Sequence, residues 1–242
     1  MTQPGFSRIA HLLADPAREA MLVALAGHDA LPAGELARAA GLSAQSASGH
    51  LRKLVEGGVL RVQTQGRFRY YAIARTSIAS AIEALCVAAG EREPSSGNRR
   101  LPAPDLCFAR SCYGHLAGQL GVALAQGLAR RGAIRTSSDA LMVTEAGRRW
   151  LAKEFGLAFD TRNSGRRGPL FQCLDWTERR YHLAGPVAAR LLTRLIELRW
   201  VARAKSSRAL RLTALGERKL AALGIDIPQR PASKSARAAH SR

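Results

Sequence analysis

Residues 35–73 carry the pattern that most constrains the fold. Glu35–Ala40 forms a short helical stretch that Gly41 ends. Ser43 is then placed to cap a second helix, which runs to Glu56 and stops at a pair of glycines. Two helices this close, separated by a glycine turn, predict a helix-turn-helix.

A β-hairpin is predicted directly after the second helix. Val59–Gln63 and Arg67–Ile73 are rich in valine, aromatic residues and isoleucine, which favour strands. Thr64–Gly66 supplies the turn between them. A hairpin in this place is the wing of a winged helix-turn-helix.

Helices are also predicted on both sides of this motif. Apolar residues recur at helical spacing over 6–26, and Asp15 followed by Pro16 divides the stretch into two helices. Ser77–Ala89 alternates small and large apolar residues, which suits a helix packed against another helix. We therefore predict a domain over residues 1–90 that ends in a dimerisation helix.

The remainder of the chain is predicted to form a second domain. Proline, serine and charge at 91–105 indicate a linker, and a basic, proline-containing tail at 225–242 is predicted to be disordered. Between them, at 106–224, His-Leu-Ala-Gly occurs at His115 and again at His182, and each copy leads to a Thr-x-x-Gly signature. We predict two winged-helix-like repeats, at about 112–156 and 173–224, and a mainly α fold with small β-hairpins (α+β).

Charge and composition favour a polyanionic partner. The net charge is +19, and the apolar content of 47% is sufficient for packed cores. Residues 1–90 contribute only +3 of that charge, with nine basic and six acidic residues. With neither a long apolar run nor a signal-peptide pattern, we expect a cytoplasmic protein with no membrane partner.

The second helix of the motif has the composition of a DNA-reading helix. Ala47, Leu51 and Leu54 would face the core, while short polar and basic residues face outward. Gln45 and Ser46 are the best candidates for base contacts, and the basic residues for phosphate contacts. The predicted contacts with double-stranded DNA are Ser43, Gln45, Ser46, Ser48, His50, Arg52, Lys53, Gln65, Arg67 and Arg69.

These residues resemble the ArsR/SmtB (arsenic-repressor) family. The resemblance spans about residues 6–90 and lies in Gly-Leu-Ser at 41–43, His50-Leu51, Leu54, and a Gly66-Arg67 wing that ends in tyrosine. It implies a homodimer that represses a promoter by binding an operator until an inducer releases it.

The metal sites familiar in that family have no counterpart in this sequence. Leu36-Ala37-Arg38 stands where arsenic-sensing members carry Cys-Val-Cys, and the dimerisation helix offers Ser77, Ser80, Glu83 and Cys86 in place of Asp, His and Glu. If the chain has an inducer site, it belongs to the C-terminal domain.

Three cysteines are candidates for that site. Cys107 and Cys112 precede His115, and Cys173 precedes His182. Thiolates brought together would suit a thiophilic metal ion, a metalloid or a redox signal. The alternative is that these cysteines and histidines are buried structural residues.

Catalysis and architectural DNA binding are the two functions that compete with an inducible regulator. An enzyme would have to use the acid and base groups Asp160, Asp175, Glu178 and His182, but no catalytic motif accompanies them, so we expect no catalysis. A non-sensing or architectural DNA-binding protein, whose extra domain binds a partner or an organic ligand, remains the alternative to an inducible regulator.

Overall fold

The computed structural model describes residues 5–66, 68–89, 103–137, 140–158, 169–205 and 207–230. The chain divides into two compact units, Met1–Arg92 and Glu93–Arg242. Both combine helices with small antiparallel sheets, which confirms the predicted α+β class.

The first unit has the element order of a winged helix-turn-helix. β3 lies between β1 and β2 in one antiparallel sheet. The bounds are α1 Phe6–Leu13, α2 Pro16–Leu25, β1 Leu31–Pro32, α3 Ala33–Ala39, α4 Ala44–Glu56, β2 Leu60–Gln65, β3 Phe68–Ile73 and α5 Thr76–Ala89.

Local capping explains where these helices begin. The Asp15 side chain accepts a hydrogen bond from the Arg18 amide at 2.9 Å, and Pro16 occupies the first position of α2. The Ser43 hydroxyl likewise accepts from the Ser46 amide at 3.2 Å. Gly41, with φ of +66°, forms the turn before it. The predicted break at Asp15 and the predicted cap at Ser43 are both confirmed.

The strands of the wing differ slightly from those predicted. β2 includes Thr64 and Gln65, which were predicted as turn residues, and Gly66, with a positive φ, lies in the turn that follows. β1 was not predicted, since two residues carry no periodic pattern. Leu31 of β1 pairs with Tyr71, which extends the sheet.

The second unit begins with a short helix and continues as two segments of the same element order. Pro104 and Asp105, predicted to belong to the linker, already lie in that helix. The bounds are α6 Pro104–Phe108, β4 Arg110–Cys112, β5 His115–Ala117, α7 Gly118–Arg130, β6 Ile134–Ser137, β7 Ala140–Val143, α8 Glu145–Phe155, β8 Phe171–Leu174, β9 Tyr181–Ala184, α9 Pro186–Glu197, β10 Val201–Arg203, β11 Leu210–Leu212 and α10 Ala214–Ala222.

Each segment is a hairpin, a helix, a second hairpin and a second helix. The hairpin before the first helix was not predicted, because its strands are only three or four residues long. The last helices begin alike: Thr144 and Thr213 each accept a hydrogen bond from a glycine amide at 2.9 Å. A Cβ on Gly147 would overlap the Ala133 carbonyl, and one on Gly216 the Trp200 carbonyl. That the segments are copies of one unit stays a prediction.

The two segments share one hydrophobic core. Leu120 and Leu128 of α7 and Leu191 and Leu195 of α9 are among its most buried members. The packing is reciprocal, since α7 contacts β9 and α9 contacts β5. Each segment therefore completes the core of the other.

The start of the predicted disordered tail packs on this core. Ile225 is buried and lies against Gly127, where the absence of a side chain on α7 leaves room for it. The Arg230 guanidinium donates to the Leu212 carbonyl at 2.8 Å and pairs with Glu217. The prediction of disorder is therefore wrong for 225–230, and residues 231–242 lie outside the described ranges.

Candidate DNA-binding surface and a buried Cys-His cluster

The predicted recognition helix is α4, and it has one buried and one exposed face. Ala47, Leu51 and Leu54 are buried in the core of the first unit. The exposed residues of α4 and its cap include six of those predicted to meet DNA: Ser43, Gln45, Ser46, Ser48, Arg52 and Lys53. Amino acids three or four apart share a helix face. Gln45, Ser48 and Arg52 therefore form one exposed strip, with the hydrogen-bonding groups at the N-terminal end.

His50 differs from the other predicted contacts because it is half-buried beside α2. Its Nδ1 lies 3.4 Å from Asp15 Oδ1, at the residue that caps α2. The pKa of Asp15 is lowered, chiefly by the hydrogen bond from the Arg18 amide and further by the nearby Arg18 and His50 charges. His50 thus connects α4 to α2, and its contact with DNA remains a prediction.

The wing carries two of the remaining predicted contacts. Gln65 and Arg69 are exposed, Thr64 pairs with Arg69, and Gln65 pairs with Phe68 across the hairpin. The third predicted residue, Arg67, lies outside the described residues. An exposed hairpin with basic and amide side chains can reach the DNA backbone beside the groove that a recognition helix enters.

A second candidate site lies in the second unit, where two hairpins meet. Cys112 pairs with His115 across β4 and β5, and Cys173 pairs with His182 across β8 and β9. One donor atom from each of these four side chains lies within 4.8 Å of the other three. The His115 and His182 Nε2 atoms are 3.1 Å apart. Both hairpins thus contribute the same pair of residue types.

The cluster rests against a buried ion pair. Arg110 donates to Asp175 Oδ1 at 2.8 Å, and both side chains are essentially inaccessible to solvent. The Gly118 amide donates to Asp175 Oδ2 at 2.7 Å. The same oxygen lies 3.3 Å from His182 Nδ1.

These contacts determine how the groups ionise. Burial raises the pKa of Asp175, but His182, Arg110 and the Gly118 amide together hold it well below its ordinary value. Burial lowers the pKa of His182, and the neighbouring Asp175 and Cys112 raise it by more, so it lies above its ordinary value. Asp175 is therefore a carboxylate held in place by its partners.

The structure brings together two of the three predicted thiols. Cys112 is buried and Cys173 half-buried, while Cys107, in α6, is not among the four clustered residues. Burial raises the pKa of the Cys107 thiol. The sequence prediction did not include His115 and His182 as ligands. The signal was present, because each copy of His-Leu-Ala-Gly is preceded by a cysteine.

The remaining predicted acid and base groups lie beside this ion pair. The Glu178 amide donates to Asp175 Oδ1 at 3.2 Å, and burial together with the Asp175 charge raises the Glu178 pKa. Asp160 lies outside the described residues. Asp175 accepts several hydrogen bonds within the protein, which suits a structural group better than a free base.

Comparison with known proteins places the chain among transcriptional regulators. Residues 13–63 match a family model described as a helix-turn-helix domain. The chain is 37% identical to the HTH-type transcriptional regulator YdfF of Bacillus subtilis over 214 residues, which is 88% of this chain and 94% of YdfF.

Solved structures that are similar cover about a third of the chain. The homodimeric winged helix-turn-helix DNA-binding domain of Mb0332 from Mycobacterium bovis is 28% identical over 36% of this chain and 79% of its own, with a TM-score of 0.33. HlyU from Vibrio cholerae is 25% identical over 35% of this chain and 94% of its own, with a TM-score of 0.32.

The exposed helix α4, the β2–β3 hairpin and the match to YdfF over most of both chains all indicate the same class of protein, a DNA-binding regulator. No helix among the described residues is long and apolar enough to cross a membrane. The chain belongs to the HTH-type transcriptional regulators, and its N-terminal unit is a winged helix-turn-helix DNA-binding domain.

Proposed function

We propose that this regulator is a homodimeric, sequence-specific repressor that a small inducer releases from its operator. The observation that carries the proposal is the exposed strip of α4, where Gln45 and Ser48 precede Arg52. Short hydrogen-bonding side chains at the N-terminal end of such a helix can reach base edges, while a basic residue further along contacts phosphate.

The net charge of the first unit supports sequence-specific binding over architectural binding. Residues 1–90 carry only +3, so phosphate attraction there is modest and base contacts have to supply much of the selectivity. An architectural protein binds through charge and DNA deformation with few base contacts. The polar character of α4 fits sequence-specific binding.

Apolar side chains on the outer helices support the homodimer. Phe6 of α1 is 78% exposed and Leu85 of α5 is 54% exposed. Exposed large apolar residues on two helices of a small unit favour an interface. A twofold dimer would present two copies of α4 to two half-sites of an operator.

The cysteines support an inducer that acts on the second unit. Cys112 and Cys173 belong to different segments, so any agent that binds or oxidises both sulfurs changes the contact between the segments. A thiophilic metal ion, a metalloid and a redox signal would each act on both sulfurs in this way. Cys107 stays a predicted third thiol of that response.

An organic inducer is the second candidate, and a cleft supports it. A cavity of about 440 Å³ lies beside the cluster and is lined by Arg135, Gln172, Arg179 and Tyr181 together with His182. Small-molecule sites combine apolar walls with a few polar groups, as this cleft does. Its exposed arginines would suit an anionic ligand.

Transcription from a template carrying an operator selected from random duplexes tests the proposal. We expect the full chain to lower transcript yield, and thiol-reactive agents or metals to restore it. A variant with both Cys112→Ser and Cys173→Ser should repress but no longer respond to those agents. An increase in transcript on adding the full chain would contradict repression, and restoration in the double variant would contradict the thiol site.

A further inference from the structure

We propose that Cys112, His115, Cys173 and His182 bind one zinc ion in a closed tetrahedral site that joins the two segments of the second unit. The proposal goes beyond the function above, because it concerns an ion that the resting protein holds before any inducer acts on the two sulfurs. It rests on the donor set, the spacing of the donor atoms, the charges around them and the burial of the site.

The donor set matches the preference of zinc. Two cysteine sulfurs and two histidine nitrogens form a combination typical of structural zinc sites in proteins. Two nitrogens bound to zinc at about 2.0–2.1 Å, with a tetrahedral angle between them, lie about 3.3 Å apart. The His115 and His182 Nε2 atoms are already 3.1 Å apart. The four donors lie within 4.8 Å of one another, so small side-chain movements bring the sulfurs into range.

The strand register explains how the donors converge. Each cysteine stands directly opposite its histidine in an antiparallel hairpin, which places both side chains of a pair on the same face of the ribbon. The hairpins contact each other through β5 and β9, the strands that carry the histidines. One ion between them would have ligands on four strands.

Charges at the site balance for a divalent cation. Binding would release one proton to solvent from each cysteine, and two thiolates neutralise Zn²⁺ while both histidines bind as neutral rings. The Asp175 carboxylate is already paired with Arg110 at 2.8 Å, so it adds no net charge. A neutral complex can be buried without a large electrostatic cost.

Asp175 is the positioning residue of the site. It faces His182 Nδ1 at 3.3 Å, which leaves Nε2 directed toward the other donors. Arg110 and the Gly118 amide hold the carboxylate from its other sides. Carboxylates that contact the far nitrogen of a histidine ligand fix its orientation in many zinc sites.

The site is closed, which indicates a structural ion. All four positions of a tetrahedron are taken by protein atoms, whereas catalytic zinc sites keep one position for water or substrate. His182 is fully buried, His115 and Cys112 nearly so, and Cys173 is half-buried. The ion would join residues as distant as Cys112 and His182, and so stabilise the contact between the two segments.

The metal content of the full-length wild-type chain tests the proposal, using protein purified under reducing conditions without a metal-affinity step. We expect elemental analysis and native mass spectrometry to find about one zinc per chain. Removal of the ion by a chelator should lower Tm, and added zinc should raise it in proportion to the logarithm of its concentration. Cobalt in its place should give tetrahedral visible bands with sulfur-to-cobalt charge transfer.

Variants identify the donors. Loss of a residue that only contacts a zinc ligand weakens zinc binding by about 10–100-fold. Loss of a ligand itself should have a larger effect, so Cys112→Ser or Cys173→Ser should weaken zinc binding by more than about 100-fold and reduce the charge-transfer band. Cys86→Ser, which changes a half-buried cysteine of the first unit, is the matched control and should bind zinc as the wild type does. Cys107→Ser should also retain the ion.

Three results would overturn the proposal: a wild-type chain without metal whose Tm is unchanged by added zinc, a Cys112–Cys173 disulfide in the reduced preparation, or equal loss of zinc in Cys107→Ser. The first two need no variant, so misfolding of a variant cannot obscure them. Operator binding by the same preparations tests the proposed function separately, because it is measured on DNA and not on the metal.

Discussion

The Nε2 atoms of His115 and His182 lie 3.1 Å apart although 67 residues separate them in the chain. Each histidine is followed by the same Leu-Ala-Gly sequence, and each belongs to the second strand of a hairpin. The two segments meet through these hairpins and share one core. A change at this contact therefore affects both halves of the second unit.

Replacing Asp175 by alanine should destabilise the second unit strongly. The change leaves Arg110 buried without its carboxylate partner, a situation that costs about 3–5 kcal/mol. Denaturation followed by tryptophan fluorescence measures it, because Trp150, Trp176 and Trp200 all lie in this unit. The matched control is Glu145→Ala, which removes an exposed ion pair and should cost about 0.5 kcal/mol or less. Equal effects of the two changes would contradict the role of the buried pair.

Replacing Gly147 by alanine should also destabilise the second unit, by about 1–3 kcal/mol or more. A Cβ at this position overlaps the backbone carbonyl of Ala133, so α8 has to move away from the turn before β6. Gly34 in α3 provides the control, because a Cβ there meets nothing within 4 Å. Alanine at Gly34 should be neutral or stabilising by up to about 1 kcal/mol. A Gly147→Ala chain with the Tm of the wild type would show that the close approach is not required.

Local sequence predicted the first unit well because its signals are local. Ser43 caps α4 from within one turn, and Asp15 with Pro16 begins α2 in the same way. The Cys-His cluster brings together residues of two hairpins that are 58 or more positions apart in the chain, and helical or strand periodicity carries no information on such contacts. The repeated His-Leu-Ala-Gly indicated that the two places are alike, but not that they touch.

Buried charge was the other feature that the sequence concealed. Arg110 and Arg208 are buried, although arginines are ordinarily exposed. The basicity of the second unit therefore gives no direct measure of its exposed charge.

The unpredicted hairpins that carry Cys112 and Cys173 have strands of three or four residues, too short for an alternating pattern.

Replacing Asp15 by alanine should lower the free energy of unfolding of the first unit by about 1 kcal/mol at neutral pH, because α2 loses its N-cap. The pKa of Asp15 in the folded chain is below its ordinary value of 3.8. Its stabilising effect is therefore complete above that value and is lost as the pH falls through the lower folded pKa. Denaturation followed by far-UV circular dichroism measures the free energy of unfolding of the wild type and of the variant. The difference between these two free energies should be present at pH 7 and should shrink below about pH 4.

Asp15→Asn is the control for that experiment. Asparagine also caps helices well, so this variant should lose less stability at neutral pH than Asp15→Ala. If the wild type stayed more stable than Asp15→Ala by the same free energy of unfolding down to the lowest pH, a contribution from the ionised carboxylate would be contradicted.

Replacing Gln45 by alanine should relax the choice of operator. A bidentate side-chain contact to a base pair contributes about 1–3 kcal/mol of discrimination, which corresponds to roughly 5–150-fold between the preferred and other bases. Binding to a panel of operator variants, measured by fluorescence anisotropy, would show the loss at one position of each half-site.

Arg52→Ala is the matched change on the same strip of α4. It should weaken binding to all sequences alike and reduce the slope of log affinity against log salt by about 1, as loss of a phosphate contact does. If Gln45→Ala weakened every sequence equally, or Arg52→Ala changed base preference, the two assigned roles would have to be exchanged.

The ratio of affinities for the selected operator and for a shuffled duplex of the same composition tests the central claim most directly. Measured with the full chain at a single physiological salt concentration, the ratio should be about 10³ or greater, as it is for sequence-specific regulators. A ratio near 1, with affinity falling equally on both duplexes as salt is raised, would contradict sequence-specific regulation and indicate an architectural DNA-binding protein.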